Sequence, residues 1–376
     1  MAKSCGAAVL LLHTFVLLIT SNIGALGMRR VDFMNSSKAS VNYRNYASGV
    51  VIFGDSTVDA GNNNYLVTVV KSNFEPYGRT FQGNVATGRF CDGKLAIDLI
   101  AAKVGYPFPL PYLAPNAHGP AILTGINFAS SASGWYDATA RNFNVKGLTD
   151  QLGWYKNWKN EVVSLVGPEK GDYIIKNALY IISTGANDWV NNYYINPALQ
   201  KQFTKDAYTT FLIGKVRAFL QELYNLGGRN IAVLGLPPLG CLPSQITLHG
   251  KGNQGCVEEY NARSVIFNKL LIGLIYNELK PNFHGGRLIY IDEYTIFDKI
   301  LKNPGLYGIT ELRKGCCGTG VLETAILCNK LSVGTCKDAS TYLWWDSFHP
   351  SEHANEVLAN DFFGQAEPSL VGPAQP

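Results

Sequence analysis

Short, wholly apolar runs alternate along this chain with longer stretches in which apolar residues recur every three or four positions. Val50-Val51-Ile52-Phe53 reads as a buried strand, cut off by Gly54-Asp55-Ser56. The same layout returns at Ala178–Ser183, which breaks into Thr184-Gly185-Ala186-Asn187-Asp188, at Asn230–Leu234, ended by Gly235-Leu236-Pro237-Pro238, and at Leu288–Asp292. Ile122–Phe128 is a further strand candidate, running into the small-residue stretch Ala129–Gly134. Between them the spacing predicts helices over Lys94–Val104, Leu148–Val166, Thr204–Leu226 (closed by Gly227-Gly228), Val257–Leu279 (stopped at Pro281) and Ser351–Phe363. Pro107, Pro109, Pro111 and Pro115 force an extended connection.

Apolar strands alternating with long helices predict an α/β fold whose parallel sheet is covered on both faces. With no internal repeat and no low-complexity linker, one domain over residues 48–363 is expected. Ligands of such sheets sit at the carboxyl ends of the strands. Here those ends deliver Ser56, the Ala129–Gly134 loop and Asn187, and the amide-rich Asp59-Ala60-Gly61-Asn62-Asn63-Asn64 loop is expected to line a site near Ser56.

Composition narrows the class. Of 376 residues, 47% are hydrophobic and 16% charged, with a net charge of +4 and no Lys/Arg block. That describes a globular protein and gives no reason to expect a nucleic-acid partner. Lys3, the apolar run Ala7–Thr20 and the small residues Ser21–Gly27 form the three-part layout of a secretory signal, with cleavage expected near Gly27. The apolar run is shorter than the roughly 20 residues of a membrane span, His13 interrupts it, and no later segment is long and apolar enough to span. Residues 28–47 then read as a flexible lead-in carrying a glycosylation acceptor at Asn35, and residues 364–376 as a disordered tail.

Secretion changes how the cysteines read. Cys5 leaves with the signal, and seven remain. Cys241 and Cys256 close a short Gly-rich loop and are the first expected disulfide. Adjacent Cys316 and Cys317 cannot readily bond each other, so each is expected to reach Cys328 or Cys336, and Cys91 is left free.

Two residues stand out chemically. Asp346 and His349 lie three apart in Asp346-Ser347-Phe348-His349-Pro350, so the carboxylate can receive Nδ1–H while Nε2 faces outward as a base. Ser56 needs such a base to become a nucleophile. Asn187 can offer side-chain N–H to an oxyanion, and the Gly134 loop backbone N–H. Each residue alone has a plain structural reading: Gly54-Asp55-Ser56 as a turn and helix cap, Asp346 as a cap, Asn187 as a turn residue.

Taken together they resemble one family, the plant secreted GDSL esterase/lipases, a branch of the SGNH hydrolases. The matching stretches are Phe53-Gly54-Asp55-Ser56 with Asp59, Gly61, Asn62 and Asn63; Gly125-Ile126-Asn127-Phe128-Ala129-Ser130; Gly185-Ala186-Asn187-Asp188; and Asp346-Ser347-Phe348-His349-Pro350. They occur in the family's order over about residues 50 to 350. The resemblance implies a flavodoxin-like three-layer α/β/α fold and hydrolysis of acyl esters. It implies Ser56 as nucleophile, His349 as base, Asp346 as its orienter, and Ser56 N–H, a glycine N–H and Asn187 as oxyanion donors. Gly134 is taken as that glycine; Ala132 is the other position that could align, since the usual glycine-rich block here reads Ser131-Ala132-Ser133-Gly134.

The expected function is therefore a secreted, extracellular, monomeric Ser-His-Asp esterase/lipase acting on lipid or acylated cell-wall esters without metal or cofactor. An acyltransferase on the same site and a catalytically silent binding or defence protein are the alternatives.

Overall fold

The computed structural model describes residues 43–250 and 255–371. The signal layout, the Asn35 acceptor and the last residues of the expected tail lie outside the described residues.

Five strands form one parallel sheet: β1 (Val50–Gly54), β2 (Gly125–Asn127), β3 (Leu179–Ser183), β4 (Asn230–Leu234) and β5 (Arg287–Ile291), in the order β2-β1-β3-β4-β5. This is the flavodoxin-like doubly wound order. Val50 lies opposite both Gly125 and Leu179, so β1 is an interior strand and its carboxyl end lies beside the ends of β2 and β3. The three-layer expectation holds: β1, β3 and β4 are wholly buried, as a sheet covered on both faces requires.

The period of two assigns the faces. Leu179, Ile181, Ala232 and Leu234 turn to one side, where Ile100 of the Ala96–Lys103 helix and Phe362 of the Glu352–Val371 helix meet them. Phe53 and Tyr180 turn to the other. The Phe53 ring lies 5.6 Å from Tyr155 of the Leu148–Val166 helix and 5.4 Å from Phe219 of the Lys205–Asn225 helix, both edge-on.

The predicted elements shift in four places. Strand β2 is three residues long because Gly119–Ile122 coils into a 3₁₀ turn; the proline-rich connection closes its outer edge, with Asn127 N donating to Leu110 O at 2.9 Å. The last helix runs to Val371, through Gly364, so the tail does not begin at residue 364. The lead-in ends earlier than residue 47: the Tyr43 hydroxyl bonds Glu367, and its ring packs edge-on against Phe363 at 5.0 Å. Of the helices that escaped the periodicity, Pro168–Asn177 and Glu293–Lys302 are the longest among the described residues; a small second sheet of β6 (Glu311–Gly315) and β7 (Tyr342–Trp344) escaped it too.

The strands of that second sheet flank a disulfide-tied segment. Cys241 is joined to Cys256, Cys316 to Cys336 and Cys317 to Cys328, while Cys91 is free and buried. Among the described residues no helix is long and apolar enough to cross a membrane.

Candidate active site

Strand β1 ends in a glycine because nothing else fits. Gly54 has φ +144°, and a Cβ there would stand 2.0 Å from Ser183 O of β3. The sharp exit turns Ser56 up at the sheet edge. Gln151, buried in the Leu148–Val166 helix, grips this turn: Gly54 N donates to its Oε1 at 2.9 Å and its Nε2 donates to Gly54 O at 2.9 Å.

Ser56 meets a residue 293 positions away. Ser56 Oγ lies 2.8 Å from His349 Nε2. His349 Nδ1 lies 2.8 and 2.9 Å from the two oxygens of Asp346, which puts the proton on Nδ1 and leaves Nε2 to accept from the serine hydroxyl. All three residues are buried. Asp346 Oδ1 also accepts from the backbone N of Phe348 and His349, each at 2.9 Å, so the 346–349 turn is locally closed. Oδ2 accepts from Tyr77 Oη at 2.8 Å and Thr324 Oγ1 at 3.0 Å. Burial and the neighbouring Asp346 charge hold the Tyr77 hydroxyl far above the usual tyrosine range, so it stays a donor. Phe90 covers the imidazole at 4.8 Å.

The second loop departs from expectation. Ala132, not Gly134, lines the cleft with Ser56 and Asn187. Gly134 instead backs onto Asp188, where a Cβ would be 2.3 Å from Oδ1. Ala132 adopts φ +67°, a left-handed conformation usually left to glycine, and this is where a glycine-rich block would place one. Neither the Ala132 nor the Ser56 amide donates to another described residue. Asn187 Nδ2 donates to Ser133 O at 2.9 Å, and its Oδ1 accepts from Asn191 Nδ2 at 2.7 Å, which fixes the amide's orientation with one N–H to spare.

The loop holds its shape through two acids. Asp188 Oδ2 accepts from Trp135 N at 2.7 Å, and Oδ1 from Tyr136 N at 3.2 Å and Thr139 Oγ1 at 2.6 Å; its burial pushes the carboxyl up to about 7. Asp59 accepts from Gly61 N, Asn62 N, Ser131 N and Ser131 Oγ at 2.7 to 3.0 Å. Asn62 Nδ2 donates to Asn127 O and Ala129 O, and Asn63 Nδ2 to Ser131 O. Asp59, Asn62 and Asn63 are thus buttresses buried behind the site. They do not line it, as the amide-rich pattern suggested.

The cleft is a cavity of about 360 Å³. Val70, Val190, Leu242, Phe297, Trp344 and Phe348 supply much of its wall, and no Lys or Arg lines it. Two acids do: Asp55, whose Oδ1 accepts from Thr57 N at 3.1 Å and Thr57 Oγ1 at 2.9 Å, and Glu293, at the start of the Glu293–Lys302 helix. Sequence reading passed over Glu293, though it follows the end of β5 as Ser56 follows β1 and Asn187 follows β3. Among the described residues no group of His, Cys, Asp and Glu could hold a metal ion.

A serine hydroxyl on an imidazole that a buried carboxyl group orients, beside amides free to donate, is an arrangement that can perform acyl transfer. Residues 50–362 match the model of a family described as GDSL-like lipase/acylhydrolase. Among curated proteins the chain is similar to the Arabidopsis thaliana GDSL esterase/lipase At5g03810, 48% identical over 323 residues, covering 85% of this chain and 91% of that one. It is also similar to the Arabidopsis thaliana GDSL esterase/lipase APG, 43% identical over 334 residues, covering 88% and 94%.

Proposed function

The chain belongs to the GDSL-like lipase/acylhydrolase family and is a carboxylic ester hydrolase, and we propose that it is a secreted serine esterase in which Ser56, His349 and Asp346 carry acyl groups from esters to water. The observation that carries this reading is the unbroken line from Ser56 Oγ through His349 Nε2 and Nδ1 to Asp346, each step 2.8–2.9 Å.

Ser56 Oγ attacks the ester carbonyl as its proton passes to Nε2. Asp346 stabilises the imidazolium and keeps the ring turned. The oxyanion takes the N–H groups of Ser56 and Ala132 and the spare N–H of Asn187; one such donor is worth about 10²–10³ in rate. The imidazolium then protonates the leaving alcohol, and the C–O bond breaks. Water attacks the acyl-Ser56 ester as its proton passes to Nε2. The acid leaves, and the proton returns to Ser56 Oγ.

The apolar wall suits a hydrocarbon acyl chain, which supports lipid-type esters as substrates. Secretion rests on the signal layout and agrees with three disulfides in the folded chain. The test is Ser56→Ala. Purified, folded variant should lose turnover of a short-chain p-nitrophenyl ester and labelling by a fluorophosphonate; retained turnover overturns the assignment.

A further inference from the structure

Glu293 is a charged-type residue without a structural task. The Glu293–Lys302 helix is already capped by Asp292, whose Oδ1 accepts from Thr295 N at 3.0 Å. Glu293 itself is 8% exposed, lines the same cavity as Ser56 and His349, and its carboxyl makes no hydrogen bond to any described residue. No ion pair relieves it either among the described residues. One turn on, Phe297 lines the same wall and stacks on Trp344 at 5.4 Å, so the carboxyl is set into an apolar surface. Burial, with Asp55 and Asp292 nearby, pushes it up to about 8. At neutral pH it is therefore an uncharged acid offering one O–H donor and a carbonyl acceptor.

We propose that Glu293 forms a hydroxyl-binding subsite in the ester cleft, so that the preferred substrates carry a hydroxyl group on the portion that lies against the Glu293–Phe297 wall. This rests on the esterase reading of Ser56 and His349. A hydroxyl both donates and accepts, as the neutral acid does, and the pair satisfies each other. A plain hydrocarbon segment at the same place would seal the carboxyl away from water with no partner, a loss that lowers kcat/KM by about tenfold or more. The hydroxyl can reside on the acyl chain or on the alcohol, and the chemistry recognised is the same.

The experiment compares kcat/KM for matched pairs in wild type, Glu293→Gln, Glu293→Leu and Glu293→Ala. The acyl arm sets p-nitrophenyl esters of a saturated fatty acid against those of its chain-hydroxylated counterparts. The alcohol arm sets a monoacylglycerol against the methyl ester of the same acid. Wild type should favour the hydroxylated member at least tenfold in one arm, which identifies the source of the hydroxyl. Glu293→Gln keeps a donor and an acceptor and should keep most of the preference. Glu293→Leu should erase it while raising kcat/KM for the unsubstituted ester, and Glu293→Ala, which adds no bulk, should erase it too. A wild-type ratio near one in both arms, or a preference surviving in the Leu and Ala variants, overturns the subsite. Fluorophosphonate labelling of each protein separates this from the esterase reading: labelled protein without the preference refutes only the subsite, and hydrolysis by Ser56→Ala refutes the esterase reading.

Discussion

Gln151 and Gly54 lie 97 positions apart and are clamped by two hydrogen bonds of 2.9 Å, amide carbonyl to backbone N–H and amide N–H to backbone carbonyl. Gly54 O has further partners in Ser130 N at 3.0 Å and Ser133 Oγ at 2.8 Å; Gly54 N has Gln151. Gln151→Leu therefore orphans a buried N–H two residues before Ser56. It should cost about 1–3 kcal/mol of stability and lower kcat more than it raises KM, since the serine loses its fixed position. Urea denaturation and steady-state kinetics check both, and an unchanged kcat would show that β1 and β3 suffice to place Ser56.

Asp346→Asn keeps the shape of the site but can turn an N–H toward Nδ1, favouring the wrong tautomer of His349. A loss of about 10⁴ in kcat is expected by analogy with other triads. Tyr77→Phe removes one of the donors to Asp346 Oδ2 while Thr324 Oγ1 remains, so its loss should be far smaller. Equal losses in the two variants would mean that Tyr77 does more than orient the carboxylate.

Ala132 stands where a glycine would be unstrained. The left-handed conformation costs an alanine about 1–2 kcal/mol, and glycine's extra chain entropy offsets about 0.5–1 kcal/mol of the relief. Ala132→Gly should thus be as stable as wild type or about 1 kcal/mol more so, and fully active. Ala132→Val, branched at Cβ and facing the cleft, should be destabilised and inactive. An inactive Ala132→Gly, with Tm unchanged, would remove Ala132 N–H from the oxyanion site.

The raised pKa of Glu293 sets the sign of a pH effect. Its folded value of about 8 lies above the ordinary 4.5, so the folded state holds the proton longer than the unfolded chain. Wild type then loses stability relative to Glu293→Gln as pH rises from about 4.5 to about 8, with no further change above. The variant should gain up to about 4 kcal/mol on wild type at pH 8.5 compared with pH 4.5. A stability difference flat across that range would mean that Glu293 is ionised throughout.

The disulfides Cys316–Cys336 and Cys317–Cys328 span 20 and 11 residues. They tie down the segment that brings Thr324, Ala325, Ile326 and Leu327 to the cleft. Replacing Cys317 and Cys328 together by serine should cost about 3 kcal/mol and reduce activity on long-chain esters more than on short ones. Equal reduction for both would place the effect on the Ser56–His349 geometry instead of the cleft wall.

The pattern of apolar and polar positions determined the strands, the long helices and the parallel sheet, because burial on both faces leaves continuous apolar runs and burial on one leaves a helical stripe. It also brought out Asp346 and His349, whose pairing is local and needs only one turn of chain, and Ser56, which follows directly from a strand end. What faces the cleft from within a loop has no such periodic signature. Asn62 and Asn63 share their residue type with polar site residues, yet their amides are spent on backbone carbonyls behind the site. Gly134 looked like the residue that allows close approach, and it does, but toward Asp188, while the strained alanine two residues earlier meets the cleft. Glu293 reads in sequence as an ordinary acid at a helix start, where the dipole favours negative charge. Only the packing of Phe297, Trp344 and the end of β1 around it withdraws water and makes it an unpaired acid in a substrate cleft, because desolvation depends on neighbours far away along the chain.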